Sequence, residues 1–97
     1  IKIIPVTQIQ YLEAADDYVK IITNEGTYLK KKTMQYFEHS LQTAQFVRVH
    51  RSFIVNIQLI TRIDAYEKDS HIALLNTGAK ILVSKTGYAK LKEVLGL

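Results

Sequence analysis

The stretch Phe46-Val47-Arg48-Val49-His50-Arg51-Ser52-Phe53-Ile54-Val55-Asn56 sets a polar centre between strongly apolar flanks. That pattern predicts a rigid support presenting a polar turn, and rigidity lets a site discriminate between ligands. Arginine offers a planar fork matched to phosphate oxygens or to the O6 and N7 of guanine, while histidine and serine can donate to phosphate or to base edges. Arg48 and His50 also have a plain structural reading, as strand residues paired with nearby acids. Arg51, with two further basic residues in the preceding three positions, points most directly to a ligand.

A second basic cluster, Lys30-Lys31-Lys32, stands just before Thr33 at an expected strand-to-helix junction. The helix dipole is already positive there, so adjacent lysines repel it, and a bound phosphate would relieve the repulsion and accept free backbone N–H groups. Plain solvation also accommodates so short a run. Lys85 repeats the arrangement at a second expected helix start, flanked by the hydroxyls of Ser84 and Thr86. Together the two starts suggest a polyanionic partner.

Catalytic chemistry is poorly served. His50, Ser52 and several acids lack the Gly-flanked serine of a nucleophile elbow. His39, His50 and His71 are far apart and fall in no metal-ligand spacing, and neither a GxxxxGK[ST] nor a GxGxxG loop is present. Asp16-Asp17 lacks the further acids and the central glycine of an EF-hand and reads as a turn, from which Tyr18 could reach a ligand. No enzyme activity, cofactor or metal is expected.

The elements that must position these residues are mostly strands. Ile-, Val- and Tyr-rich runs predict strands at Ile9 to Ala14, Tyr18 to Thr23, Thr27 to Lys31, Phe46 to Val49, Leu59 to Tyr66, His71 to Leu75 and Lys80 to Val83. Asn24-Glu25-Gly26 and Asn76-Thr77-Gly78 supply turns. Met34, Phe37 and Leu41 recur at helical spacing between Thr33 and Thr43, with Thr33 as N-cap. Tyr88, Leu91 and Leu95 do so between Thr86 and Leu95, with Ser84 or Thr86 as cap and Gly96 as stop. The expected class is mostly β with two short helices (α+β), with no tandem helices for a helix-turn-helix reader.

The 97 residues fit one domain and exclude a two-lobed enzyme. With no cysteine there is no disulfide, thiolate zinc site or cysteine nucleophile, and a reducing, cytoplasmic setting is permitted. No apolar run approaches the ~18 residues of a membrane span. The chain starts at Ile1 and its one methionine is Met34, so the expectation is a piece of a longer protein. The net charge is +4, but the basic excess is confined to residues 28–51 and 71–97, while acids outnumber bases elsewhere. Such segments suit a polyanion if folding joins them.

Ile9-Gln10-Tyr11-Leu12-Glu13-Ala14 with Tyr18-Val19, the central Phe46-to-Asn56 phrase and Leu82-Val83-Ser84-Lys85 together resemble the LytTR DNA-binding domain family, in order, from about Ile4 to Leu95. The central phrase carries most of the specificity. The resemblance implies short antiparallel sheets that read double-stranded DNA with loops, as the C-terminal output domain of bacterial two-component response regulators acting on paired direct repeats in promoters. It implies an N-terminal receiver or sensor domain in cis. The loops correspond here to the Asp17-Tyr18 turn, the His50-Arg51-Ser52 turn and Lys85-Thr86, which makes Arg51 and Lys85 base readers and His50, Ser52 and Thr86 backbone contacts. Arg48, Lys31, Lys32 and Tyr18 complete the expected DNA-binding set. Many family members place arginine where this chain has Lys85, which keeps the charge and loses the fork.

Two other readings remain open from the residues alone. A protein-interaction module would use exposed strand edges and a surface drawn from 6 Tyr and 3 Phe, with binding insensitive to salt. A single-stranded nucleic-acid binder would stack bases on tyrosines and prefer unpaired substrates. So small a domain is expected to be monomeric alone and to occupy paired sites, as a dimer on DNA, when tethered.

Overall fold

A computed structural model describes residues 3–97. Its strands are β1 (Ile9–Ala15), β2 (Tyr18–Thr23), β3 (Gly26–Lys30), β4 (Phe46–His50), β5 (Phe53–Asn56), β6 (Ile60–Ala65), β7 (His71–Leu75) and β8 (Lys80–Val83). The helices are α1 (Met34–Ser40) and α2 (Lys85–Leu95), with single 3-10 turns at Val6–Gln8 and Ile57–Leu59. Five strands form one antiparallel sheet in the order β3-β2-β1-β5-β4, and β6-β7-β8 form a second. The mostly β, two-helix class expected from the sequence is therefore observed. Among the described residues no helix is long and apolar enough to cross a membrane.

Period-two alternation in the central strands gives the five-stranded sheet two buried faces. Ile54 of β5 packs with Leu12, Val19, Ile21, Phe46 and Met34 beneath α1, whereas its neighbour Val55 packs with Val47, Val49, Ala73, Leu75, Ile81, Val83 and Leu91 between the two sheets and α2. Asn56, polar yet buried, donates to the Ile9 carbonyl and accepts from the Gln58 amide, so it closes the end of β5 and serves the core.

Both helices start and stop on local chemistry. Thr33 caps α1 by accepting from the Tyr36 amide at 3.0 Å, and Leu41 ends it in an extended conformation. The apolar stripe runs one residue past the helix because Leu41 still packs on the core, which is why the sequence predicts a longer element. Ser84 caps α2 through the Gly87 amide, and Gly96, at φ 74°, closes it with Leu97 donating back to the Lys92 carbonyl. Tyr88 stacks on His71 of β7 with ring centroids 3.7 Å apart, and the Lys92 ammonium lies 4.9 Å from the Tyr88 ring centre.

Gly87 lies against the β4 backbone so closely that a Cβ there would sit 1.8 Å from the Val49 carbonyl oxygen. Gly87→Ala is therefore expected to lever α2 off β4 at a cost of at least about 2 kcal/mol. Urea unfolding measures it, and wild-type stability would refute the close approach.

Burial pushes the Tyr11 phenol above its ordinary pKa of 10.0, and the neighbouring Glu13 charge adds to the rise. The folded state thus favours the neutral phenol, a stability present below the ordinary value and lost as pH rises through the raised one. Tyr11→Phe should lose stability less steeply above pH ~10. Unfolding midpoints across that range test this, and superimposable slopes would deny the shift.

Candidate nucleic-acid interface

Antiparallel pairing brings the basic residues to one end of the molecule. The β1–β2 turn, Asp16-Asp17, follows the Ala15↔Tyr18 pair, and the Val19↔Lys30 pair puts the end of β3, and hence Lys31 and Lys32, beside it. Because Glu13 pairs with Phe53, the Arg51-Ser52 turn between β4 and β5 lies at the same end. Asp16 accepts φ 55°, a backbone angle that aspartate tolerates and β-branched residues do not.

The β8–α2 junction joins this end through an irregularity in β4. Pairing with β5 shifts register between Arg48 and His50, so Val49 falls out of the ladder. Its carbonyl instead accepts from the Ser84 amide at 2.9 Å and the Ser84 hydroxyl at 3.2 Å. This bulge thus ties the start of α2, Lys85-Thr86, to the Arg51 turn.

The Arg51-Ser52 turn is held by its backbone. The Ser52 amide donates to His50 Nδ1 at 3.0 Å, the Ser52 carbonyl accepts from the Ala14 amide at 2.9 Å, and the Arg51 carbonyl accepts from Arg48 Nη2 at 2.7 Å. With Nδ1 accepting, Nε2 of His50 is left to carry the ring proton and can donate outward. The His50 ring also packs on Phe53, 5.7 Å between centroids. The Arg51 side chain is exposed and, among the described residues, has no acidic partner.

Three clefts mark this end. One of about 440 Å³ lies between the Arg51 turn and α2, bounded by His50, Arg51, Ser84 and Thr86. A second, of about 520 Å³, lies on the other side of Lys85, where His50 and Ser84 face Tyr66 and Lys68 of the β6–β7 turn. The third, about 400 Å³, gathers Asp17 and Tyr18 with Lys31, Lys32 and Thr33. Among the described residues Lys31 and Lys85 are exposed without an acidic partner, and the Lys32 ammonium lies 4.8 Å from the Tyr36 ring centre.

The expected residues thus form two groups at one sheet end: Tyr18, Lys31 and Lys32, then His50, Arg51, Ser52, Lys85 and Thr86. Arg48 differs from its neighbours. Nη1 binds Glu38 Oε1 at 3.1 Å and Nη2 binds the Arg51 carbonyl, so its fork is engaged within the protein. Sequence reasoning missed the β6–β7 turn. Its polar run Glu67-Lys68-Asp69-Ser70 signals a turn, but only the register of β7 on β8, His71 opposite Val83, brings it beside Lys85. Among the described residues no group of His, Cys, Asp or Glu side chains could hold a metal ion.

Comparison with known proteins agrees with this architecture. A solved LytTr DNA-binding domain from Bacillus cereus superposes with a TM-score of 0.89 at 31% identity, over 97% of this chain and 86% of that one. "Sensory transduction protein LytT" of Bacillus anthracis is 35% identical over 95 residues, 98% of this chain and 39% of the relative. "Heme-containing CO-sensing transcriptional regulator RcoM 1" of Paraburkholderia xenovorans is 31% identical over 83 residues, 82% of this chain and 30% of that protein. The chain therefore spans well under half the length of these curated relatives. The family model described as "LytTr DNA-binding domain" matches residues 1–96, and with the loops gathered at one sheet end the chain belongs to the LytTR DNA-binding domain family.

Proposed function

We propose that this domain binds double-stranded DNA sequence-specifically for transcriptional control, as the output module of a response regulator whose receiver or sensor domain lies N-terminal to it. One observation carries the reading beyond family membership. Basic side chains from distant parts of the chain, Lys31, Lys32, Arg51 and Lys85, converge on one sheet end, and Lys31, Arg51 and Lys85 have no acidic partner there among the described residues. Cations without a direct ion pair suit a phosphate backbone even with Asp16, Asp17, Glu67 and Asp69 lining the same clefts, and a rigid turn suits base reading.

The roles divide by chemistry. Arg51 presents its fork to a guanine edge in the major groove, and Lys85 adds a single-point donor one loop away. His50, Ser52 and Thr86 donate to phosphates, Lys31 and Lys32 supply salt-dependent attraction, and Tyr18 flanks them. The β1–β2 and β4–β5 turns are about two strand spacings apart, or ~10 Å, comparable to the ~12 Å width of a major groove. The longest dimension is 41 Å, against about 34 Å for a turn of B-DNA. One copy thus covers about one turn, and paired direct repeats in a promoter take two copies tethered through their other domains. On this reading it works in the cytoplasm, beside the bacterial chromosome.

Fluorescence-anisotropy titration against random duplex and single-stranded DNA at two salt concentrations, followed by selection and sequencing of bound duplexes, tests the proposal. An enriched motif with steep salt dependence is expected. No duplex preference at low salt would overturn it, and stronger binding to unpaired strands would favour a base-stacking surface. Arg51→Ala should cost ~1–3 kcal/mol on the selected site and less on random duplex; equal losses would reduce Arg51 to a phosphate contact. Lys31→Ala should weaken all duplexes similarly and flatten the salt slope by about one unit. An unchanged slope would remove Lys31 from the interface.

A further inference from the structure

We infer that Glu38 and Arg48 form a clamp that sets the conformation of the Arg51 turn, which makes both of them positioning residues for base discrimination. The inference rests on the duplex-binding reading and goes beyond it by assigning specificity to a pair that need not touch DNA.

Arg48 is built into β4, and its guanidinium spans two elements, donating to Glu38 Oε1 of α1 at 3.1 Å and to the Arg51 carbonyl at 2.7 Å. The two side chains are only 25% and 32% exposed, so the geometry is held by packing as well as by charge. Among the described residues Arg48 Nε is buried with no acceptor. An unsatisfied buried donor costs stability, and that cost is understandable where the position of the rest of the fork matters more. The second oxygen of Glu38 lies 3.8 Å from Lys90 Nζ on α2, the helix that opens with Lys85. One carboxylate thus ties α1 to the supports of both reading elements.

Glu38 also lines the cleft that holds Arg51 and Thr86. An acid in the wall of a polyanion-binding cleft opposes binding by Coulomb repulsion. Removing its charge should therefore tighten binding if the residue has no other role. The clamp predicts the opposite sign on the selected site.

The test is Glu38→Gln, which keeps size and removes charge, titrated against the selected duplex and a random one, with thermal unfolding as the control for folding. We expect affinity for the selected site to fall about tenfold, or about 1.4 kcal/mol, while affinity for random duplex rises. In an Arg51→Ala background that loss should vanish, because Glu38 acts through the turn. Arg48→Lys keeps the charge and loses the fork, so it should lower the selected-to-random ratio with the salt slope unchanged. A wild-type ratio in Glu38→Gln, or a loss that persists without Arg51, would overturn the clamp. A slope lowered by about one in Arg48→Gln, which removes the charge, would instead make Arg48 a phosphate contact and equally overturn it. A wild-type protein that selects no duplex at all would fail the functional reading itself, which these ratios distinguish from failure of the clamp.

Discussion

The Val49 carbonyl is the point on which the arrangement of the molecule depends. Expelled from the β4–β5 ladder by a register shift, it accepts the amide and hydroxyl of Ser84, the residue that caps α2. Gly87, where a Cβ would lie 1.8 Å from that carbonyl oxygen, completes the contact. Without this junction the two sheets would share only the apolar layer around Val47, Val55, Ile81 and Leu91, which is non-directional and does not fix the approach of Lys85 to Arg51. Hydrophobic burial brings the sheets together, and a few directed hydrogen bonds decide where the loops end up.

Much of this was legible in the residues. The strands Tyr18–Thr23, His71–Leu75 and Lys80–Val83 are bounded in sequence by turn-forming residues and come out with the expected limits. Ser84 and Gly96 act as cap and stop because their roles need only neighbours in the chain. The separate strand Phe53–Asn56 was harder to see, since the apolar run on either side of the Arg51 turn gives no period with which to place a break. The β4 irregularity was invisible for a similar reason, as register depends on a partner strand.

The candidate site was legible in composition and hidden in its wiring. Arg51, Lys85 and the Lys31-Lys32 pair stand out as residues whose charges no nearby residue in the sequence explains. The convergence of Lys31, Lys32 and Arg51 follows from the sheet order β3-β2-β1-β5-β4 and that of Lys85 from the Ser84–Val49 junction, neither of which a local pattern encodes. Arg48 has, in the sequence, a strand reading with an acidic partner, but the acid is not named there. Its partner Glu38 is ten residues away on a helix face, and only the packing of α1 on the sheet separates an engaged guanidinium from a free one.

The backbone of the Arg51-Ser52 turn has a wider implication. Both of its carbonyls and the Ser52 amide are satisfied from within the protein, by Arg48, Ala14 and His50. The turn therefore keeps its shape whatever side chain stands at position 51, much as type keeps its place in a frame while the letters are exchanged. Exposed positions of this kind tolerate substitution within about ±0.5 kcal/mol of stability. A scaffold wired this way accepts single replacements at its rim while its core stays the same, so descendants of one such domain can diverge there without refolding.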